Sequence, residues 1–210
     1  MTTIARLAAM TLALPACAHA QRTEPARGAD GWLPLFDGRT LDGWRASEHP
    51  ATFSVHDGEI VVHGPRAHLF YDGPVLNHAF TDFELTVDVL TKRGANSGIY
   101  LRTAFQPTDW PAQGYEVQVN NSFADDWRRT GSLYEVRNLR ESLPDDTWFT
   151  VHAIVRGRRV QVLLNDRPVV DYTEPAGSPT RLTGGTIALQ GHDPGSEVHY
   201  RNIRIRPLAP

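Results

Sequence analysis

The chain has 210 residues, with 21 basic and 24 acidic side chains and a formal charge of −3. A mildly acidic balance with no basic run excludes nucleic acid as a partner. The single cysteine, Cys17, excludes a disulfide and a cysteine-based metal site within the folded part.

The first twenty residues read as a secretory signal peptide. Arg6 gives a positive start, Leu7 to Leu14 is an apolar run, and Ala18-His19-Ala20 is a small-x-small cleavage pattern. The run is too short to span a membrane as a mature helix. Leu14-Pro15-Ala16-Cys17 also resembles a lipoprotein box. Lipidation at Cys17 would tether the protein to a membrane, and cleavage after Ala20 would release a soluble exported protein. The proline is unusual in such a box and favours the second. Without Arg6 the charge becomes 20 minus 24, or −4. Residues 21–30 are polar and rich in breakers, a flexible exit from the leader. About 190 residues remain, enough for one domain with a substantial core.

From Gly31 onward strands and turns alternate. Phe53 to His56, then Asp57-Gly58, then Glu59 to Val62 predicts a hairpin with a two-residue turn of positive φ. Phe83 to Val89 alternates cleanly. Phe149 to Val155, Val160 to Leu164, Pro168 to Tyr172, Thr186 to Gln190 and Val198 to Ile205 predict further strands. Roughly ten to thirteen strands and no sustained helical period predict an all-β fold: a jelly-roll sandwich of two antiparallel sheets spanning residues 31–208. The longest irregular stretches, 104–114 and 121–147, would wall a site.

The chemistry concentrates between Asn96 and Asn121. In NSGIYLR, Ile99 and Leu101 share one side while Tyr100 and Arg102 share the other. In GYEVQVNN, Tyr115, Val117 and Val119 face the core, and Glu116, Gln118 and Asn120 face away. Glu116, on a rigid strand, is a candidate acid or base if burial raises its pKa; the plainer reading is a solvated carboxylate paired with Arg102. His192 follows Gln190 with the same parity and suits proton transfer near neutrality. His56, His63, His68 and His199 read as surface or strand-face residues.

No His-x-x-x-His, His-x-His or cysteine pair supports zinc. A divalent cation stays open, with Asp125, Asp126, Asn120 and Asn121 as oxygen donors for calcium. No phosphate loop and no nucleophile elbow is present. Trp110 and Trp127, in the loops beside the polar strand, would stack on a sugar ring, and Arg102, Glu116, Gln118, Asn120 and Gln190 would bind its hydroxyls. The expected ligand is carbohydrate, with no cofactor required.

LFDGRTLDGW, HDGEIVVHG, TDFELTVDV, GANSGIYLR, GYEVQVNN, TGSLYEV and IALQGHDPGSEVHYRNIRIRPL occur in that order and closely resemble the 3-keto-disaccharide hydrolase domain family. The resemblance covers Gly31 to Leu208. It implies a concanavalin-like sandwich in bacterial exported or periplasmic proteins, acting on glycosides whose carbon 3 hydroxyl a separate enzyme has oxidised to a ketone. Such a ketone acidifies the proton on carbon 2, so a base can remove it and the oxygen on carbon 1 can leave; water then adds back. The resemblance implies that Glu116 and His192 share the acid and base roles, in an order left open. Arg102 with Gln118 or Gln190 would donate to the keto or enolate oxygen, and Tyr100, Asn96, Asn120, Tyr134, Trp110 and Trp127 would complete the substrate site. A compact Ser122 to Thr130, followed by Tyr134 to Asn138 where the family has a longer proline-rich passage, departs from the pattern on the leaving-group side. A non-catalytic carbohydrate-binding module and an envelope interaction protein are the alternative readings.

Overall fold

The computed structural model describes residues 23–177 and 179–209. The expected leader, with Cys17, lies outside the described residues. Within them, no helix is long and apolar enough to cross a membrane.

Thirteen strands form among the described residues: β1 (Leu33–Pro34), β2 (Trp44–Ala46), β3 (Phe53–His56), β4 (Glu59–His63), β5 (Ala67–Tyr71), β6 (Phe83–Thr91), β7 (Ser97–Thr103), β8 (Tyr115–Val119), β9 (Phe149–Arg156), β10 (Arg159–Leu164), β11 (Arg167–Thr173), β12 (Thr186–Gly191) and β13 (Glu197–Pro207). They make two antiparallel sheets, as expected. The larger runs β11-β10-β9-β6-β13-β4-β3, with β1 added on β13, and the smaller runs β2-β5-β12-β7-β8.

Local sequence explains the regular parts. β3 and β4 join through Asp57 (φ 50°) and Gly58 (φ 84°), and β10 and β11 through Asn165 (φ 48°) and Asp166 (φ 64°). These residue types tolerate the left-handed conformation that a tight hairpin needs. β6 and β9 alternate buried and half-buried along their length, so one face of the large sheet enters the core and the other meets solvent.

The smaller sheet behaves differently. Leu69, Tyr71, Ile99, Leu101, Tyr115, Val117, Val119, Ile187 and Leu189 belong to the main core between the sheets. The opposite face carries its own apolar group, Phe70, Tyr100 and Ala188, covered by Phe105. Every residue of β5, β7 and β12 is therefore buried. Loops 104–114 and 120–143 roof this second face and leave a cavity over part of it.

One register feature removes an expected site residue. Between β12 and β7, Thr186 pairs with Thr103 but Ala188 pairs with Tyr100, so β7 carries one extra residue, a β-bulge. Arg102 sits in that bulge at φ 52° and leaves the face of Tyr100. Its guanidinium donates to the carbonyls of Thr81 (2.5 Å), Gly157 (2.9 Å) and Leu182 (2.8 Å) and to Asp82 Oδ1 (2.9 Å). Arg102 is thus a buried cross-brace, neither a substrate ligand nor the partner of Glu116. Arg102→Leu removes the donor from three carbonyls and, among the described residues, leaves Asp82 with the Gly157 amide alone. It is expected to cost about 3 kcal/mol in urea unfolding; unchanged stability with a raised KM would return Arg102 to the substrate.

Candidate active site

A cavity of about 320 Å³ lies on the second face of the small sheet, lined by residues that include Asn96, Tyr100, Trp110, Glu116, Gln118, Tyr134, Gln190 and His192. The floor is made by adjacent rungs. Tyr100 pairs with Glu116 and Gly98 with Gln118 across β7 and β8, while Gln190 pairs with His68 across β12 and β5.

Glu116 is the centre of this floor. Its Oε2 accepts from the Tyr100 hydroxyl (3.0 Å) and its Oε1 from the Gln190 side-chain amide (2.9 Å). Burial pushes its pKa up to about 7, and these two hydrogen bonds only partly offset the shift. Burial and the neighbouring carboxylate hold the Tyr100 phenol protonated far above its ordinary range. Glu116 has room because its neighbour has no side chain: a Cβ on Gly98 would stand 2.2 Å from Glu116 Oε1.

His192 follows β12 immediately. Its Nδ1 lies 2.8 Å from Asp193 Oδ2. Burial works to raise the Asp193 pKa, but hydrogen bonds from Ser196, His192 and the Gly195 amide outweigh it and leave the carboxyl below its ordinary value. An ionised Asp193 can only accept, so Nδ1 carries the proton and Nε2 is the ring nitrogen left to exchange one. Trp110 (centroids 5.4 Å apart) and Phe123 (5.3 Å) flank the imidazole. Ser196 donates to Asp193 (2.7 Å) and accepts from the Asn96 amide (2.8 Å). The Asn96 side chain in turn accepts from Gln118 (3.1 Å). One hydrogen-bonded chain therefore links the histidine to the β8 floor.

Two more expected ligands are placed elsewhere. Asn120 is fully buried; its amide donates to the Asp126 and Arg128 carbonyls at 2.9 Å, and its oxygen accepts from Phe123 N and Arg129. It shapes the loop that brings Asp126 to the cavity and does not face substrate. Trp127 is 43% exposed but lies outside the cavity lining, with the Arg140 guanidinium 4.2 Å above its ring. The imagined calcium group does not converge either. Asn120 and Asn121 spend their side chains on protein partners, and among the described residues no three His, Cys, Asp or Glu form a metal-holding group.

His68 is the residue the sequence misplaced. It is 0% exposed and packs edge-on against Tyr100 (5.4 Å) and Trp110 (5.5 Å). Burial depresses its pKa to about 4, so it is a neutral support for the Trp110 wall. The sequence offered no warning, because Ala67 to Tyr71 is buried on both faces and shows no alternation. Asp126, Glu135 and Arg181 also line the cavity, all brought in by loops.

Comparison with known proteins identifies the family and the fold. Residues 31–206 match the 3-keto-alpha-glucoside-1,2-lyase-like domain. A 3-keto-disaccharide hydrolase of Bacteroides thetaiotaomicron is 25% identical over 232 residues, covering 86% of this chain and 79% of that protein. A crystal structure from Parabacteroides distasonis with a provisional glycosyl hydrolase designation reaches a TM-score of 0.71 at 21% identity, over 86% of this chain and 95% of that one. A Bacillus subtilis protein with a galectin-like fold reaches 0.59 at 13% identity, over 83% and 94%. These structures establish the concanavalin-like sandwich, while the family and the relative support glycosidase-type function. The chain belongs to the 3-keto-alpha-glucoside-1,2-lyase-like domain family.

Proposed function

We propose that the cavity cleaves 3-keto-glycosides by elimination followed by hydration, outside the cytoplasm once the leader is removed. The observation that carries this reading is a carboxyl poised at a pKa of about 7 on a rigid sheet floor, in the same cavity as a histidine oriented by Asp193. A base of that strength suits a proton made acidic by an adjacent ketone.

Glu116, as carboxylate, takes the proton from carbon 2. The electron pair moves toward the ketone oxygen on carbon 3, where hydrogen-bond donors from Gln118 and Tyr134 offset the developing charge. As the enolate collapses, the bond from carbon 1 to the glycosidic oxygen breaks, and His192 Nε2–H protonates the leaving oxygen. The product is an enone with a double bond between carbons 1 and 2. Water then adds: hydroxide goes to carbon 1, its proton goes to His192, and Glu116 returns a proton to carbon 2. The sum is hydrolysis. The two carboxylates of an ordinary glycosidase are not needed.

The test uses the mature chain with a chromogenic 3-keto-glucoside beside the unoxidised glucoside, with and without chelator. Release confined to the keto substrate and abolished by His192→Ala is the expected result. Sugar binding without release would instead make the domain a carbohydrate-binding module. Equal release from both substrates would replace elimination by ordinary glycosidase chemistry.

A further inference from the structure

Acidic side chains outnumber the guanidiniums around the cavity, yet one of those guanidiniums has no carboxylate partner among the described residues. Glu116 is answered by Tyr100 and Gln190. Asp126 is answered by Arg128 (3.1 Å), whose other terminal nitrogen reaches Glu135 at 3.4 Å. Arg181 also lines the cavity, yet its guanidinium has no carboxylate within ion-pair distance among the described residues. It lies over the face of Tyr115, 4.4 Å from the ring centroid.

The backbone of this arginine is anchored, and its side chain is exposed. Glu174, 3% exposed, accepts from the Tyr115 hydroxyl (2.8 Å), the Arg181 amide (2.7 Å) and the Thr180 hydroxyl, and it pairs with Arg158 at 3.7 Å. The neighbouring Leu182 is buried and its carbonyl is held by Arg102. Anchors on both sides thus fix the backbone of Arg181, while the one nearby buried carboxylate is spent on the loop and on Arg158.

We propose that this edge of the cavity is an anion subsite, with Arg181 as the specificity-determining residue, so that the preferred glycosides carry a carboxylate or sulfate group. The inference rests on the proposed sugar site and names its substrate class. A guanidinium without a counter-ion, resting on the Tyr115 ring above an anchored backbone, can meet an oxyanion through paired N–H donors.

The test reads binding separately from turnover. Phenyl glucoside, 4-carboxyphenyl glucoside and phenyl glucuronide, none oxidised at carbon 3, are titrated calorimetrically into the mature protein at low and at high salt. At least one acidic ligand is expected to bind about fivefold tighter than the neutral one. The advantage should shrink with salt, and Arg181→Gln should bring the acidic-to-neutral ratio close to one. The carboxyphenyl arm places the anion on the leaving group, and the glucuronide arm places it on the sugar. Equal affinity for acidic and neutral ligands, no binding of either acid, or a preference that survives in Arg181→Gln would overturn the proposal. A failure to cleave 3-keto substrates would leave these ratios readable and would count only against the proposed reaction.

Discussion

Glu116→Gln is expected to lower kcat/KM about 10³-fold and yet to stabilise the fold at pH 8. The base is lost, since an amide cannot take the proton. The hydrogen bonds survive. The carbonyl oxygen of the new side chain can accept from Tyr100, and Gln190, whose Oε1 has no partner in the wild type, can turn its amide to accept from the new NH₂. The stability gain follows from linkage. Glu116 in the folded state has its pKa raised from 4.5 to about 7, so the fold prefers the neutral acid. That preference is fully present below pH 4.5 and is lost as pH rises through about 7. At roughly 1.4 kcal/mol per pH unit, the ionised carboxyl costs about 3 kcal/mol at pH 8. Urea unfolding should show the variant more stable by about that much at pH 8 and equal to wild type at pH 4. The same group sets the acid limb of the rate: kcat/KM on a 3-keto-glycoside should rise with pH, reach half its limit near pH 7 and level off about one pH unit above that. A variant that is inactive and less stable at pH 8 would show that Glu116 is an ordinary structural carboxylate.

Gly98→Ala is expected to be almost as damaging by another route. The new methyl would stand 2.2 Å from Glu116 Oε1 and 2.8 Å from its Cγ and Cδ, closer than atoms can approach. The movable partner is the Glu116 side chain, which must leave Tyr100 and Gln190 for another rotamer. A displacement of this size at a catalytic group costs about 10²-fold in rate, while the β7 backbone keeps its ladder. Circular dichroism and the unfolding midpoint should change little. Retained activity in Gly98→Ala would show that the observed position of the carboxyl is not the reactive one.

The elements and site residues that were legible in the sequence share a signal. Where one face of a strand meets solvent, alternation is visible, so β6, β9 and the β3–β4 hairpin could be read directly. Glu116, Gln118 and Gln190 were found through alternation of another origin, because the largely buried second face of β8 and β12 carries polar side chains to the cavity, and His192 through its position two residues past Gln190. Ala67 to Tyr71 is buried on both faces with apolar or aromatic side chains on each, so it shows no polar–apolar alternation, and β5 with His68 went unseen. The bulge at Arg102 breaks the parity that had placed it beside Tyr100, and nothing in Ile99 to Thr103 announces an inserted residue. Asn120 had the right parity, but the strand ends at Val119 and its side chain turns to the loop. Asp126, Glu135 and Arg181 reach the cavity from loops, whose course no period encodes.

The central claim is that carbon 2 loses its proton during cleavage. The most direct measurement is hydrolysis of a 3-keto-glucoside in D₂O, with the released sugar analysed by mass spectrometry and proton NMR before it can exchange spontaneously, beside a control of the same sugar incubated alone. Elimination and hydration predict one deuterium at carbon 2, incorporated as fast as the leaving group appears. A product that keeps its original hydrogen at carbon 2 would mean direct displacement at carbon 1 and would contradict the role given to Glu116.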